Sequence, residues 1–367
     1  MTIGPEDAHD ADADDAASST TETEAAAEAR YRERLALQSE FTPQLLGLVA
    51  SLLKANEISV VQMEGRTKTV ASVVDKMRRK GEKYRGSRAE ITDLTGIRIV
   101  TYYLQDVERV VAVLSEEFTV DWENTEDRRA PEAPEEFGYE SSHYIIRLDD
   151  KRAQFNEWRK FSGLTAEIQV RTVLQHAWAS ISHKLIYKRE EYVPVPLRRS
   201  FARLSALLGV ADEQFSGLAR QASTLEETYT ANVSSGELDL PLDPLSVQAY
   251  TNAPEVHTAL AELAERGGWR LVDESSAAAS VEQDTRNLLE ICSALDFTTV
   301  RELAEATLTQ DASKTAQVIG AYRKGHSVGI SAQDLLNRLL IAHRRVPTEV
   351  FRGMYTRDEV MSLMDAR

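Results

Sequence analysis

Two carboxylates stand at the edges of apolar strand-like runs. Asp93 precedes "LTGIRIV" and Glu167 opens "EIQVRT". A carboxylate beside a buried strand is costly unless it is paired or binds a metal. One alone reads as a helix cap or a salt-bridge partner. Two, followed four to five residues later by Arg98 and Arg171, look more like a magnesium and phosphate site. Alternation puts Glu167, Gln169 and Arg171 on one face of their strand. That face needs a polar cavity or a solvated edge, and Ile168 and Val170 opposite argue for a strand packed on helices. The same alternation groups Tyr139, Ser141 and His143. A tyrosine there is either core or a stacking platform for a base. Cations gather as well: Arg66, Lys68, Lys76, Arg78, Arg79 and Lys80 lie between Gly65 and Gly81, with Lys83 just beyond. A solvated helix face accounts for such a run, and so does a polyanion with several phosphates.

Other phosphate and metal motifs fail. Gly81 and Gly86 in "GEKYRGS" have P-loop spacing, but Ser87 and Arg88 follow where Lys and Ser/Thr belong. HExxH and GxGxxG are both missing. His176 and His183 share a helix face, without further ligands for a metal.

These residues need elements to hold them. Leu35, Phe41, Leu45, Val49, Leu52 and Leu53 recur at helical spacing, which predicts a helix over 31–56. Residues 57–65 read as β, 69–80 as helix, 95–103 as a strong strand and 105–118 as an amphipathic helix. Strands at 139–148 and 164–172 and a helix at 173–187 follow. The order predicts an α/β domain with one mixed sheet flanked by helices. From about 197 a long amphipathic helix begins, and further helices are expected at 254–266, 282–294, 298–309 and 332–342. The expected organisation is an acidic tail (1–30), an α/β domain (31–196) and a mostly helical C-terminal region (197–367).

The chain of 367 residues has a net charge of −16, against generic nucleic-acid binding over the whole surface. About half of that charge lies in residues 1–30, which lack the apolar residues to offset ordering entropy and read as disordered. A single Cys292 excludes an internal disulfide framework and a Cys-rich metal site. No apolar run approaches the roughly 20 residues that span a bilayer. The acidic start is unlike a signal peptide, so a cytoplasmic protein without membrane association is expected.

In series, "GRTKTVASVVDKM", "ITDLTGIRIV", "GYESSH", "EIQVRT" and "HAWASISHKLIYK" resemble the RelA/SpoT-type alarmone synthetase domain, over about residues 35–190. The resemblance implies a nucleotidyltransferase-like fold that moves the β,γ-pyrophosphate of ATP onto the 3′-hydroxyl of GDP or GTP, with Mg²⁺ as cofactor. It implies that Arg66, Lys68, Ser72 and Lys76 cradle the ATP phosphates, and that Arg66 and Arg98 sandwich the adenine. Asp93 would hold Mg²⁺. Glu167 would help the metal and activate the hydroxyl. Tyr139 would stack on guanine, with His143, Gln169 and His176 near the acceptor. Two departures stand out. The family usually carries a basic residue and an Asn shortly before its Gly-Tyr, where this chain has Glu135 and Phe137. No HD-type hydrolase region precedes the domain, so synthesis without degradation is expected. Toxic relatives that modify the 3′ end of tRNA or adenosine nucleotides supply the alternative. Glu135 and the run Arg78, Arg79, Lys80, Lys83, Arg85 and Arg88 favour it. In that case the C-terminal region is a fused inhibitor or sensor. Oligomerisation is compatible with either reading.

Overall fold

The computed structural model describes residues 24–79, 91–125, 142–185, 194–272, 278–308, 311–321, 329–343 and 346–365. It divides into two compact units, Met1–Leu218 and Ala219–Arg367.

The first unit is a five-stranded mixed sheet in the order β1-β2-β5-β4-β3. Its strands are β1 (Val60–Thr67), β2 (Thr95–Thr101), β3 (Phe118–Val120), β4 (Ser142–Leu148) and β5 (Thr165–Thr172). Only β2 and β5 run parallel; the other pairs are antiparallel. Helix α1 (Glu24–Ala55) and helix α3 (Leu104–Glu117) supply the apolar stripes that cover one face. Phe41, Leu45, Val49 and Leu53 of α1 and Val107, Val110 and Leu114 of α3 form one core with Ile97, Ile99, Ile168, Val170 and Tyr144. Each such side chain contributes about 1.5–3 kcal/mol by leaving water.

The alternation that buries Ile97, Ile99, Ile168 and Val170 sends the neighbouring polar residues to the other face. This is why Arg98, Glu167, Gln169 and Arg171 lie side by side there. Cα register pairs Arg66 with Gly96 and Glu64 with Arg98 across β1 and β2. It pairs Gly96 with Glu167 and Arg98 with Gln169 across β2 and β5. His143 stands opposite Gln169 on β4.

Helix α2 (Val70–Arg79) follows β1, and Val73 is buried with Leu35, Ile91 and Leu94. Helix α4 (Val173–Leu185) follows β5 with no intervening loop. Thr172 caps it: its hydroxyl accepts from Gln175 N at 3.2 Å, and Gln175 Oε1 accepts from Thr172 N at 2.9 Å. This reciprocal pair satisfies two donors at the helix start. Helix α5 (Val195–Ser234) crosses the division between the units. Within the first unit, Phe201 stacks edge-on against Trp178 of α4. Buried Asp212 accepts a 2.5 Å hydrogen bond from the Thr172 hydroxyl, and Ser216 Oγ accepts from Leu104 N at 3.0 Å.

Three expectations need adjustment. Helix α1 begins at Glu24, inside the stretch read as disordered, because "EAAAEAR" consists of strong helix formers that need no core to extend a helix already started. Residues 1–23 lie outside the described residues. Strand β3 was not expected: three residues are too few for an alternation signal. The long helix expected from about 197 starts at Val195, before the expected domain end at 196, since proline fits the first helical turn.

The second unit is helical around Leu260, Leu288, Ile291, Leu303, Leu335, Leu336, Leu339 and Leu340. The expected helices appear as Pro254–Arg266, Ala278–Ala294, Val300–Thr307 and Ala332–His343. Helices Pro244–Asn252, Ala312–Ala321, Thr348–Phe351 and Arg357–Asp365 add to them, with a two-stranded parallel ribbon of Arg270–Leu271 and Gly329–Ile330. Arg338 ties this unit together: it binds Asp334 at 3.0 Å and Glu359 at 2.8 Å and lies over the Tyr355 ring. Cys292 is buried, and burial pushes its thiol up to about 12, so it is a small hydrophobe. Among the described residues no helix is long and apolar enough to cross a membrane.

Candidate active site

The site is built where three strands begin or end at one edge of the polar face. β1 ends at Thr67, β2 begins at Thr95 and β5 begins at Thr165. A buried polar network on α1 holds all three. The Thr42 hydroxyl lies 2.8 Å from the Thr67 hydroxyl and 2.8 Å from the Thr95 hydroxyl. Thr95 donates to Gln38 Oε1 at 2.5 Å, and Gln38 Nε2 donates to the Thr165 carbonyl at 3.5 Å. Gln38, Thr42, Thr95 and Thr165 are all buried. The next residues along these strands are the charged ones: Lys68 follows Thr67, Asp93 lies two before Thr95, and Glu167 two after Thr165.

Asp93 sits between two ammonium groups. Its Oδ2 accepts from Lys68 and, at 2.9 Å, from Lys76 of α2. The Lys68 backbone is pinned alongside by a 2.8 Å bond from its N–H to the Leu94 carbonyl. Burial would raise the Asp93 carboxyl, but the hydrogen bonds and charges of Lys68 and Lys76 outweigh it and hold it below the usual range. Burial lowers Lys68 despite Asp93. The other Asp93 oxygen, Oδ1, is buried without a hydrogen-bond partner.

Glu167 is held by His143 of β4 and by Gln169 of its own strand. His143 Nδ1 lies 3.1 Å from Oε1, and Gln169 Nε2 donates to Oε2 at 3.2 Å. Burial works against ionisation, yet the His143 and Gln169 contacts prevail and keep this carboxyl below its ordinary value. The charge of Asp93 acts on Glu167 in the opposite sense, so the two carboxylates share one electrostatic neighbourhood. Glu167 is therefore held in its ionised form, within the electrostatic reach of a carboxylate that has an unpartnered oxygen.

The remaining expected residues spread outward. Arg66 lies over Gly96: a Cβ there would stand 3.8 Å from its side chain. Arg98 pairs with Glu64 at 3.4 Å. Ser72 is in the first turn of α2, where its N–H bonds the Thr69 hydroxyl at 3.3 Å. A helix N-terminus with nearby cations suits phosphate oxygens. His176 lies in the first turn of α4, and burial followed by the charges of Arg171 and Arg98 lowers its imidazole. Tyr139 lies outside the described residues, as do Lys80, Lys83, Arg85, Arg88, Glu135 and Phe137. Thus Asp93, Lys68 and Lys76 come together, as do Glu167, His143 and Gln169. Arg98 and His176 belong to a third group with Arg171, which was absent from the expected binding residues. Its spacing after Glu167 and its position on the Glu167 face were the signals that pointed to it.

Among the described residues no group of three or more His, Cys, Asp or Glu side chains could hold a metal ion. Magnesium does not require one: it is bound through one or two carboxylates together with substrate phosphates. The hard-oxygen pair Asp93 and Glu167, with the buried unpartnered Asp93 Oδ1, fits that pattern.

A family profile described as "Region found in RelA / SpoT proteins" matches residues 65–192, which contain Arg66, Lys68, Ser72, Lys76, Asp93, Arg98, His143, Glu167, Gln169, Arg171 and His176. The chain is 29% identical over 160 residues to the GTP pyrophosphokinase YwaC of Bacillus subtilis, spanning 43% of this chain and 73% of that protein. It is 26% identical over 175 residues to the GTP pyrophosphokinase YjbM of the same organism, spanning 47% and 78%. Among solved structures, the small alarmone synthetase 1 from Bacillus subtilis aligns at 25% identity with a TM-score of 0.43, covering 53% of this chain and 98% of that one.

Proposed function

From the match of residues 65–192 to a region found in RelA/SpoT proteins and the likeness to two GTP pyrophosphokinases, we propose that this chain is an ATP-dependent pyrophosphokinase that moves the β,γ-pyrophosphate of ATP to the 3′-hydroxyl of GDP or GTP. The observation that carries this reading is the pairing of two differently held carboxylates at one sheet edge. Asp93 is neutralised by Lys68 and Lys76; Glu167 is bound to His143 and Gln169.

The division of labour follows from those contacts. Lys68, Lys76 and Arg66 line the donor side and neutralise the triphosphate, with Ser72 and the α2 N-terminus supplying further donors. Arg98 and Arg66, on neighbouring strands of one face, flank the adenine. Asp93 and Glu167 would hold Mg²⁺, which would supply charge neutralisation for the phosphate oxygens. Glu167 Oε1 and Oε2 face the acceptor side and take the proton of the 3′-hydroxyl as its oxygen attacks. His143 and Gln169 orient Glu167 and keep it ionised, and with His176 and Tyr139 they bind the acceptor. Such chemistry depends on positioning and charge neutralisation more than on covalent intermediates.

The acceptor is tested by incubating the protein with ATP labelled at the γ-phosphate and, separately, with GDP, GTP, ADP and deacylated tRNA. Label on GDP and GTP is the expected result. Label on tRNA or ADP, with none on guanosine nucleotides, would instead establish the toxic-relative chemistry.

A further inference from the structure

Up to Leu218, helix α5 is packed along one face. Phe201, Ser205, Asp212 and Ser216 are buried, and three of them meet the first unit at Trp178, at the Thr172 hydroxyl and at Leu104 N. A neighbouring face carries Leu197, Leu204, Leu207, Phe215, Leu218 and Leu225, each 40–63% exposed. Among the described residues, eight of the seventeen exposed large apolar side chains lie on this one helix. Single exposed leucines need no explanation, but a row of them marks a surface that another molecule covers. On the same stripe Tyr229 and Val233 are buried in the core of the second unit. The row is therefore left bare only between Leu197 and Leu225.

The bare row has a symmetry of its own. Leu197, Leu204, Ala211, Leu218 and Leu225 recur every seven residues, the repeat of a helix that pairs with another helix. Leu207 and Phe215 lie four residues either side of Ala211, Leu204 and Leu218 seven, and Leu197 and Leu225 fourteen. Reversing the helix about Ala211 therefore lays each large apolar side chain on another large one, with a small residue at the centre where two helices come closest. A two-fold axis produces that arrangement, because residue i of one copy then meets j of the other and j meets i.

Charge fixes the direction of the pairing. Residues 195–210 hold three arginines and no carboxylate, whereas 211–234 hold four carboxylates and one arginine. Two such helices running the same way set like charges side by side. Running in opposite directions, they lay the arginine-rich end of one along the carboxylate-rich end of the other. We propose that α5 is a self-association surface: it pairs with α5 of a second copy of this chain, antiparallel about a two-fold axis at Ala211, with Leu204, Leu207, Phe215 and Leu218 at the centre of the contact. The pairing goes beyond the pyrophosphokinase reading and does not depend on it.

Sedimentation velocity over a range of concentrations reads the assembly against a chain mass of 41.0 kDa. Wild type should sediment at twice that mass or a larger even multiple. Leu204→Glu combined with Leu218→Glu should sediment at half the wild-type mass, because the pairing would bury four unpaired carboxylates. Its circular-dichroism spectrum should be unchanged, since both side chains are exposed in the single chain. Cross-linking with a short bis-maleimide reads the direction. Ala211→Cys should cross-link to its own copy, and Leu197→Cys should not, since its counterpart is Leu225. The native Cys292 is buried, so wild type is the control that does not cross-link. The cysteine variants serve if the charged one does not fold. A wild-type monomer at every concentration, an assembly whose mass the double substitution leaves unchanged, or equal cross-linking at 211 and 197 overturns the proposal.

Discussion

On the proposed reading Arg66 and Glu167 serve opposite substrates, and single substitutions should separate them. Arg66 reaches over Gly96 on the donor side of the sheet. Arg66→Ala should raise KM for ATP by about tenfold or more, the loss of a hydrogen bond to a charged group, with acceptor KM nearly constant. Separate titrations of each nucleotide check this, and a rise confined to the acceptor would refute the donor-side placement. His143 acts through Glu167, 3.1 Å away. His143→Ala should therefore weaken acceptor use and also shift the acid limb of the kcat/KM–pH profile upward, because Glu167 loses a contact that favours its ionised form. An unshifted limb would show that the imidazole does not tune the carboxylate. The candidate residues were legible one by one, as charged types at strand edges. Their pairings were not. Whether Glu167 meets His143 or Arg98 depends on the register of β4 and β5, which no spacing within one strand determines.

At the scale of elements, the α1 network turns a helix into a clamp on three strand ends. Thr95 has a hydroxyl 2.8 Å from Thr42 and a 2.5 Å bond to Gln38. Thr95→Val keeps the shape and takes the donor from Gln38 Oε1, while Thr42 keeps the Thr67 hydroxyl. It should cost about 1–3 kcal/mol, read as a lower denaturation midpoint in urea. If the network positions Asp93 and Glu167, kcat should fall more than ATP affinity does. Loss of stability with unchanged kcat would make the network structural only. This clamp was invisible in the sequence, since a Gln and a Thr on an apolar helix and Thr at strand ends are ordinary residues. What was legible was periodicity: alternation located β2 and β5, and the helical stripe located α1 and α3. Strand β3 and the short helices of the second unit were missed because three to ten residues give periodicity too little length.

For the whole molecule, the depressed carboxylates make stability depend on acid. Asp93 and Glu167 have folded values below their unfolded ones. Their contribution is complete above the ordinary carboxylate range and is lost as pH falls through the depressed folded values. The melting temperature should hold through neutral pH and fall in acid, and Asp93→Asn should flatten part of that fall. A variant with the wild-type acid profile would show that the Lys68–Asp93–Lys76 cluster adds nothing to folding. The resemblance in the first half of the chain extended to a site because residues of its motifs, Arg66, Arg98, His143, Glu167 and Gln169, fell on neighbouring strands of one sheet face. The second half offered helical stripes without chemistry, and its structure explains why. Its polar residues mostly bind one another, as Arg338 does with Asp334 and Glu359.

The central claim is that Glu167 is the group that takes the acceptor's proton. A single-turnover measurement of pyrophosphate transfer in Glu167→Gln, with ATP and GDP binding measured on the same sample, tests it most directly. Both nucleotides should still bind, and the transfer rate should fall by roughly 10²–10⁴, the range of a positioned base. Transfer near the wild-type rate, in a variant that binds both nucleotides, would contradict it.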